Sequence, residues 1–95
     1  QEMRLEEGAT RRMLGQVHLA RQELASAERE LQESLRVLKE LNSRYEVGKT
    51  LFQLAHLHRL RGEQVQMREA LEQARAIFAE LGARLDLAQA QELTP

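Results

Sequence analysis

No cysteine occurs among the 95 residues, which excludes disulfides, thiol catalysis and thiolate metal ligands and leaves no mark of a redox compartment. Tryptophan is also missing, aromatic residues make up only 3% of the chain, and its single proline is the last residue. With no internal proline, the strongest helix breaker is absent throughout. The formal charge is −1, so neither sign dominates and no electrostatic pull toward nucleic acid or an anionic membrane is expected. No apolar run approaches the roughly 18 residues of a membrane span, and the first residues lack the apolar core of a signal peptide. These absences lead to the expectation of a cytoplasmic protein with neither nucleic acid nor membrane as partner.

What is present favours helix. Hydrophobic residues account for 42% and charged residues for 31%, with Ala, Leu, Glu, Arg and Gln prominent. A chain of this length forms about one small domain and buries about 60–65% of the surface its unfolded form exposes. Shifted by 40 residues against itself, the sequence matches. Leu14 falls on Leu54, His18 on His58, Arg21 on Arg61, Glu23 on Glu63 and Leu31 on Leu71, while Glu40, Leu41 and Arg44 meet Glu80, Leu81 and Arg84. Apolar character is kept where identity is not, as in Val17 with Leu57, Ala27 with Met67, Val37 with Ile77, Leu38 with Phe78 and Tyr45 with Leu85. A repeated unit too small to bury its own apolar face has to stack on its neighbour, which predicts an all-α array of helical hairpins.

Apolar spacing predicts five helices. The first covers about residues 2–21, with Leu5, Ala9, Met13, Val17 and Ala20 inward. The second covers 24–41 through Leu24, Ala27, Leu31, Leu35, Leu38 and Leu41. The third runs over 45–60 on Val47, Leu51, Leu54, Leu57 and Leu60, the fourth over 64–81, and the fifth from 84 to Thr94. Gly62 and Gly82 supply the positive φ of helix ends, and Asn42 tolerates it. Ser43 followed by Glu46 has the spacing of a capping box. The joint at 21–23 holds no glycine, proline or good cap, and Leu24, Leu31 and Leu38 at sevenfold spacing would suit one long coiled coil. The repeat argues for a bend, because the equivalent segment contains Gly62.

Leu14-Gly15, His18, Glu23, Ala27, Leu31 and Ser34, together with Leu54-Ala55, His58, Gly62-Glu63, Met67, Leu71 and Ala74, resemble the pattern of the tetratricopeptide repeat in a 40-residue form. The tract 71–82 is similar to those of regulator and signalling proteins of that family. Arg11 and Leu51 stand where tryptophan is usual, Met67 replaces an alanine, and no proline closes either repeat. The resemblance implies a right-handed superhelix of about two and a half repeats: repeat one at 8–43, repeat two at 44–83, and a partial third repeat or capping helix at 84–95. In physical terms, Gly15, Ala55 and Ala27 belong where paired helices approach most closely, and Met67 predicts looser packing in the second hairpin.

The family's first helices line a concave face, and its groove positions transfer to Ala9, Arg12, Met13, Gln16 and Leu19 and to Lys49, Phe52, Gln53, His56 and Arg59. Arg12, Lys49 and Arg59 would make this surface basic above an apolar floor of Met13, Leu19 and Phe52, suiting a protein or peptide with acidic groups around apolar anchors. Phe52 and Leu19 serve equally as core between adjacent helices. The family's carboxylate clamp is not reproduced, since Gln16 and Gln53 replace asparagines and Gln89 a lysine.

No metal or cofactor is expected. His56 and His58 lie about 200° apart around a helix, whereas zinc ligands on a helix stand three or four residues apart. Catalysis is not expected either: there is no phosphate loop and no nucleophile beside a base, and the glutamates run along helix surfaces among arginines. The expected role is a non-catalytic protein-protein interaction module, a fragment of a larger regulatory or signalling protein. A structural spacer or oligomerisation element and a ligand-sensing region are the alternatives. Leu85, Leu87, Ala88 and Leu93 lead to the expectation that helix five caps helix four or joins two copies as a homodimer through residues 84–93.

Overall fold

Four joints, centred on residues 22, 42, 62 and 82, divide the chain at intervals of twenty residues. The computed structural model describes residues 2–93, with side chains from residue 3. Its helices are α1 (Glu2–Ala20), α2 (Leu24–Glu40), α3 (Arg44–Arg61), α4 (Gln64–Leu81) and α5 (Arg84–Glu92), and the described residues contain no strand. The expected end of the fifth helix, Thr94, lies outside the described residues.

Every joint has the same construction. Gln22, Asn42, Gly62 and Gly82 take φ values of 60°, 54°, 75° and 69°. The residue after each, Glu23, Ser43, Glu63 or Ala83, sends its N–H back to the carbonyl of His18, Leu38, His58 or Phe78 at 2.9–3.1 Å. This bond satisfies carbonyls that a helix end would otherwise leave bare. The bend at Gln22, argued from the repeat alone, is therefore present, although glutamine there bears the cost of a left-handed backbone. A continuous helix over the first forty residues would measure about 60 Å. The molecule extends only 36 × 31 × 19 Å, with a Cα radius of gyration of 12.4 Å, about the value of a compact chain this long.

Paired helices run antiparallel because their contacts progress in opposite directions. Gly8 faces Leu38 while Gly15 faces Leu31, and α3 packs on α4 with Gly48 against Ile77 and Phe78. A Cβ added at Gly8, Gly15 or Gly48 would lie 2.6 Å from Leu38, 2.6 Å from Leu31 or 2.9 Å from Phe78, inside any tolerable contact. Gly8 with Leu38 and Gly48 with Phe78 are one contact repeated after 40 residues. The second hairpin packs against the first through α2 and α3, with α1 also touching α3, and α5 folds onto α4.

These notches correct the reading of α1. Leu5, Met13, Val17 and Ala20 are exposed, and the buried line is Gly8, Arg12, Gly15 and Leu19. Apolar counting missed it because two of those positions are glycines and one is arginine. Leu60 is likewise exposed, whereas Val47, Leu51, Leu54 and Leu57 are buried as expected. Met67 is fully buried and does not open the second hairpin, since its unbranched side chain fills the space that an alanine would leave. The capping box at Ser43 does not form: its side chain makes no cap bond, and Glu46 turns to Arg12 and Lys49 instead. As expected of a cap, α5 covers α4, fully burying Ala90 and partly burying Leu87 and Leu93, while Leu85 stays in solvent.

Replacing Gly15 by Leu is expected to cost at least about 1–3 kcal/mol through overpacking against Leu31. A thermal melt equal to that of the parent would remove the close contact from the account. Conversely, Gln22→Gly relieves left-handed strain and is expected to stabilise by up to about 1 kcal/mol, seen as a higher urea midpoint. No gain, or a loss, would show that Gln22 carries no such strain.

Candidate functional site

Helices α1, α3 and α5 share one side of the molecule, where a cleft of about 450 Å³ opens. Its walls are Gln16 from α1, Phe52, Gln53 and His56 from α3, and Gln89 and Glu92 from α5, with Leu93 at the end. Phe52 is half-buried against the core and stands edge-on to the His56 ring at 4.8 Å and 71°. Burial, and then the nearby Arg59 charge, push the His56 imidazole below its usual 6.5, so it is neutral at pH 7. The cleft thus presents an aromatic floor, three carboxamides, a neutral imidazole and, at its α5 wall, the carboxylate of Glu92. Each carboxamide both donates and accepts hydrogen bonds.

Four of the ten residues expected to form a binding surface, Gln16, Phe52, Gln53 and His56, meet in this cleft. The others are placed differently. Leu19 belongs to the core, and Met13 is 59% exposed on α1 without lining the cleft. Arg59 is exposed but outside the lining of this cleft, as is Ala9, which is partly buried. Arg12 is only 9% exposed, and its guanidinium Nη1 donates to Glu46 Oε1. Lys49 Nζ lies 3.1 Å from Glu46 Oε2 and 4.5 Å above the Tyr45 ring, whose hydroxyl donates to Asp86 Oδ2 at 2.6 Å. The expected basic surface is therefore altered: Arg12 and Lys49 share the one carboxylate of Glu46, within a network that crosses from α1 through α3 to α5, and neither lines the cleft. Burial alone would raise the Glu46 carboxyl, but hydrogen bonds from Arg12 and Lys49 hold it below its usual range. The bond to Asp86 raises the Tyr45 phenol.

Gln89 was read only as a departure from the clamp and Leu93 only as part of a cap, and Glu92 was not singled out, because which residues of α5 turn toward α3 depends on how that helix docks. The signal for Arg12 was present but unread. At the shift of 40, Gly8 matches Gly48 as Gly15 matches Ala55. Arg12 falls between the two glycines at helical spacing, on the face that must touch α2.

The recurring histidines have a structural use. His18 Nδ1 lies 2.7 Å from Glu23 Oε1, and His58 Nδ1 lies 2.7 Å from Glu63 Oε1, each pair tying a helix end to the start of the next helix. No group of three or more His, Asp or Glu residues among those described is arranged to hold a metal ion, and no described helix is long and apolar enough to cross a membrane. A second cleft, of about 350 Å³, lies between α2 and α4 over Val47, Leu51, Ala76 and Ile77. Both clefts exceed the roughly 300 Å³ lower bound for small-molecule sites, but both are open to solvent and neither is an enclosed cavity.

Comparison with protein-family models, with curated proteins and with solved structures returned no match.

The folded His56 takes up a proton only below 6.5, where the unfolded chain has begun to bind one, so the unfolded state holds more protons. Its contribution to stability is present above about pH 6.5 and is lost as pH falls. Glu46 acts in the same direction lower down, with its contribution complete above the ordinary 4.5 and lost as pH falls through its depressed value. Urea unfolding across pH 3–7 is expected to show stability falling toward acid, with His56→Gln flattening the slope near pH 6 and Glu46→Gln flattening it below pH 5. Unchanged slopes in both variants would contradict these assignments.

Proposed function

We propose that the chain is a non-catalytic peptide-binding module, a tetratricopeptide-like right-handed stack of hairpins whose first helices form the binding groove. The observation that carries this reading is the cleft across α1, α3 and α5, where carboxamides from three helices surround the half-buried Phe52. An extended peptide leaves its backbone N–H and C=O groups unpaired, and Gln16, Gln53 and Gln89 offer both kinds of partner. An apolar side chain of the peptide rests on Phe52 beside Leu93, as aromatic anchors in partly desolvated clefts supply most of the energy of such contacts. Because Glu46 engages Arg12 and Lys49 and the carboxylate of Glu92 stands in the cleft wall, the favoured guest is a peptide with an apolar anchor and no acidic flanks, in place of the acidic peptide expected from the sequence. The joints repeated every twenty residues and the glycine contacts repeated after forty support the stacked-hairpin arrangement.

The test is fluorescence anisotropy with labelled decapeptides, each bearing one leucine or phenylalanine among neutral residues. Phe52→Ala is expected to weaken binding by about 30-fold and Gln53→Ala by several-fold, with helical content retained. Lys39→Glu, in the second cleft, should leave affinity unchanged. Equal affinity of the parent, Phe52→Ala and Gln53→Ala would remove the groove from the function, and the absence of binding to any peptide would favour a spacer role.

A further inference from the structure

We infer that the outer face of α1 is a docking surface for a helical hairpin of a partner protein, one presenting a cation, a small hydroxyl side chain and a carboxylate. The template is inside the chain. Where α3 seats on the first hairpin, three polar contacts are made. Glu46 takes Arg12, Thr50 Oγ1 lies 3.2 Å from Ser34 Oγ, and Arg61 holds Glu28 at 2.9 Å. Between them Leu54 and Leu57 are buried. Forty residues earlier, α1 and its end carry Glu6, Thr10 and Arg21, identical to the three polar residues, with Leu14 and Val17 in place of the two leucines.

On α1 the whole set is open. Leu14 and Val17 are 43% and 49% exposed, against 3% and 0% for Leu54 and Leu57. Thr10 is exposed whereas Thr50 is fully buried. Among the described residues Glu6 and Arg21 form no ion pair, although Glu46 and Arg61 both do. A cleft of about 420 Å³ runs beside Glu6, Thr10 and Leu14. Nothing in the fold of α1 itself requires this particular set in this register, so its recurrence points to the same kind of contact.

A second copy of the chain does not supply the matching surface. Its own α3 already covers Arg12, Ser34 and Glu28. At its far end the equivalent positions are Phe52, Ala74 and Arg68, which would leave Glu6 without a cation and set Arg21 against another arginine. The occupant so defined is a hairpin that faces Glu6 with Lys or Arg, Thr10 with Ser or Thr, and Arg21 with Asp or Glu.

The probe is a tandem chain in which a second copy of residues 4–43 precedes residue 4, so that the added Ser43 runs into Arg4 as it otherwise runs into Arg44. This extension presents the required cation, hydroxyl and carboxylate to the α1 face. One melting transition is expected, with a midpoint higher by about 5 °C or more and a urea slope larger by about 40%. Arg21→Glu in the chain's own copy should remove most of the gain, and Glu28→Arg in the added copy should restore it. An unchanged slope, meaning an unfolded extension, or a gain indifferent to the charge exchange would overturn the inference. A dimer of the unextended chain that Arg21→Glu dissolves would overturn the choice of occupant. Peptide affinity at Phe52 is independent of these outcomes, so the groove and the α1 face stand or fall separately.

Discussion

The close approach of helix backbones at glycine is the constraint on which the remaining structure depends. Leu38 lies against Gly8, Leu31 against Gly15, and Phe78 against Gly48, with no room for a methyl group at any of the three. Large side chains set into such notches fix both the spacing and the register of each hairpin, because sliding the helices would bring a Cβ into the contact. The register in turn places Ser34, which donates to the carbonyl of Gly8 at 2.7 Å and touches Thr50. Thr50 also donates to the carbonyl of Glu46 at 3.0 Å. This buried node joins α1, α2 and α3, and with one hydrogen per hydroxyl it satisfies two of its three contacts at a time.

Electrostatics follows from that geometry. Arg12 sits on the glycine line of α1 and is drawn into the interface between hairpins, where an unpaired guanidinium would be costly. Glu46 meets it and also takes Lys49, so both cations are held in ion pairs and neither reaches the cleft. Other ion pairs repeat with the hairpins, as Arg4 with Glu40 at 2.5 Å and Arg44 with Glu80 at 2.9 Å, forty residues apart. Exposed pairs of this kind contribute little stability. Their value is as markers that two segments of similar sequence adopt the same local arrangement.

How far the sequence could be read differed between helices. The joints were legible, including the one at Gln22, because repetition carried information that local propensity did not. The core of α3 and α4 was legible from leucine spacing. The buried face of α1 was not, since its apolar residues Leu5, Met13 and Val17 face solvent and its interior line is made by glycine and arginine. Half of the cleft could be anticipated from α3 and Gln16. Its other wall depends on which residues of α5 turn toward α3 when that helix docks on α4.

Composition, the absence of proline within the chain and the 40-residue repetition determined five helices and their boundaries, because these are properties of short segments and of their recurrence. Only the packed molecule decided which charges are spent on one another and which side chains reach the cleft. The reason is physical: pairing of Glu46 with Arg12 and docking of α5 depend on distances between residues far apart in the chain, and those distances exist only after the glycine notches have brought the helices together.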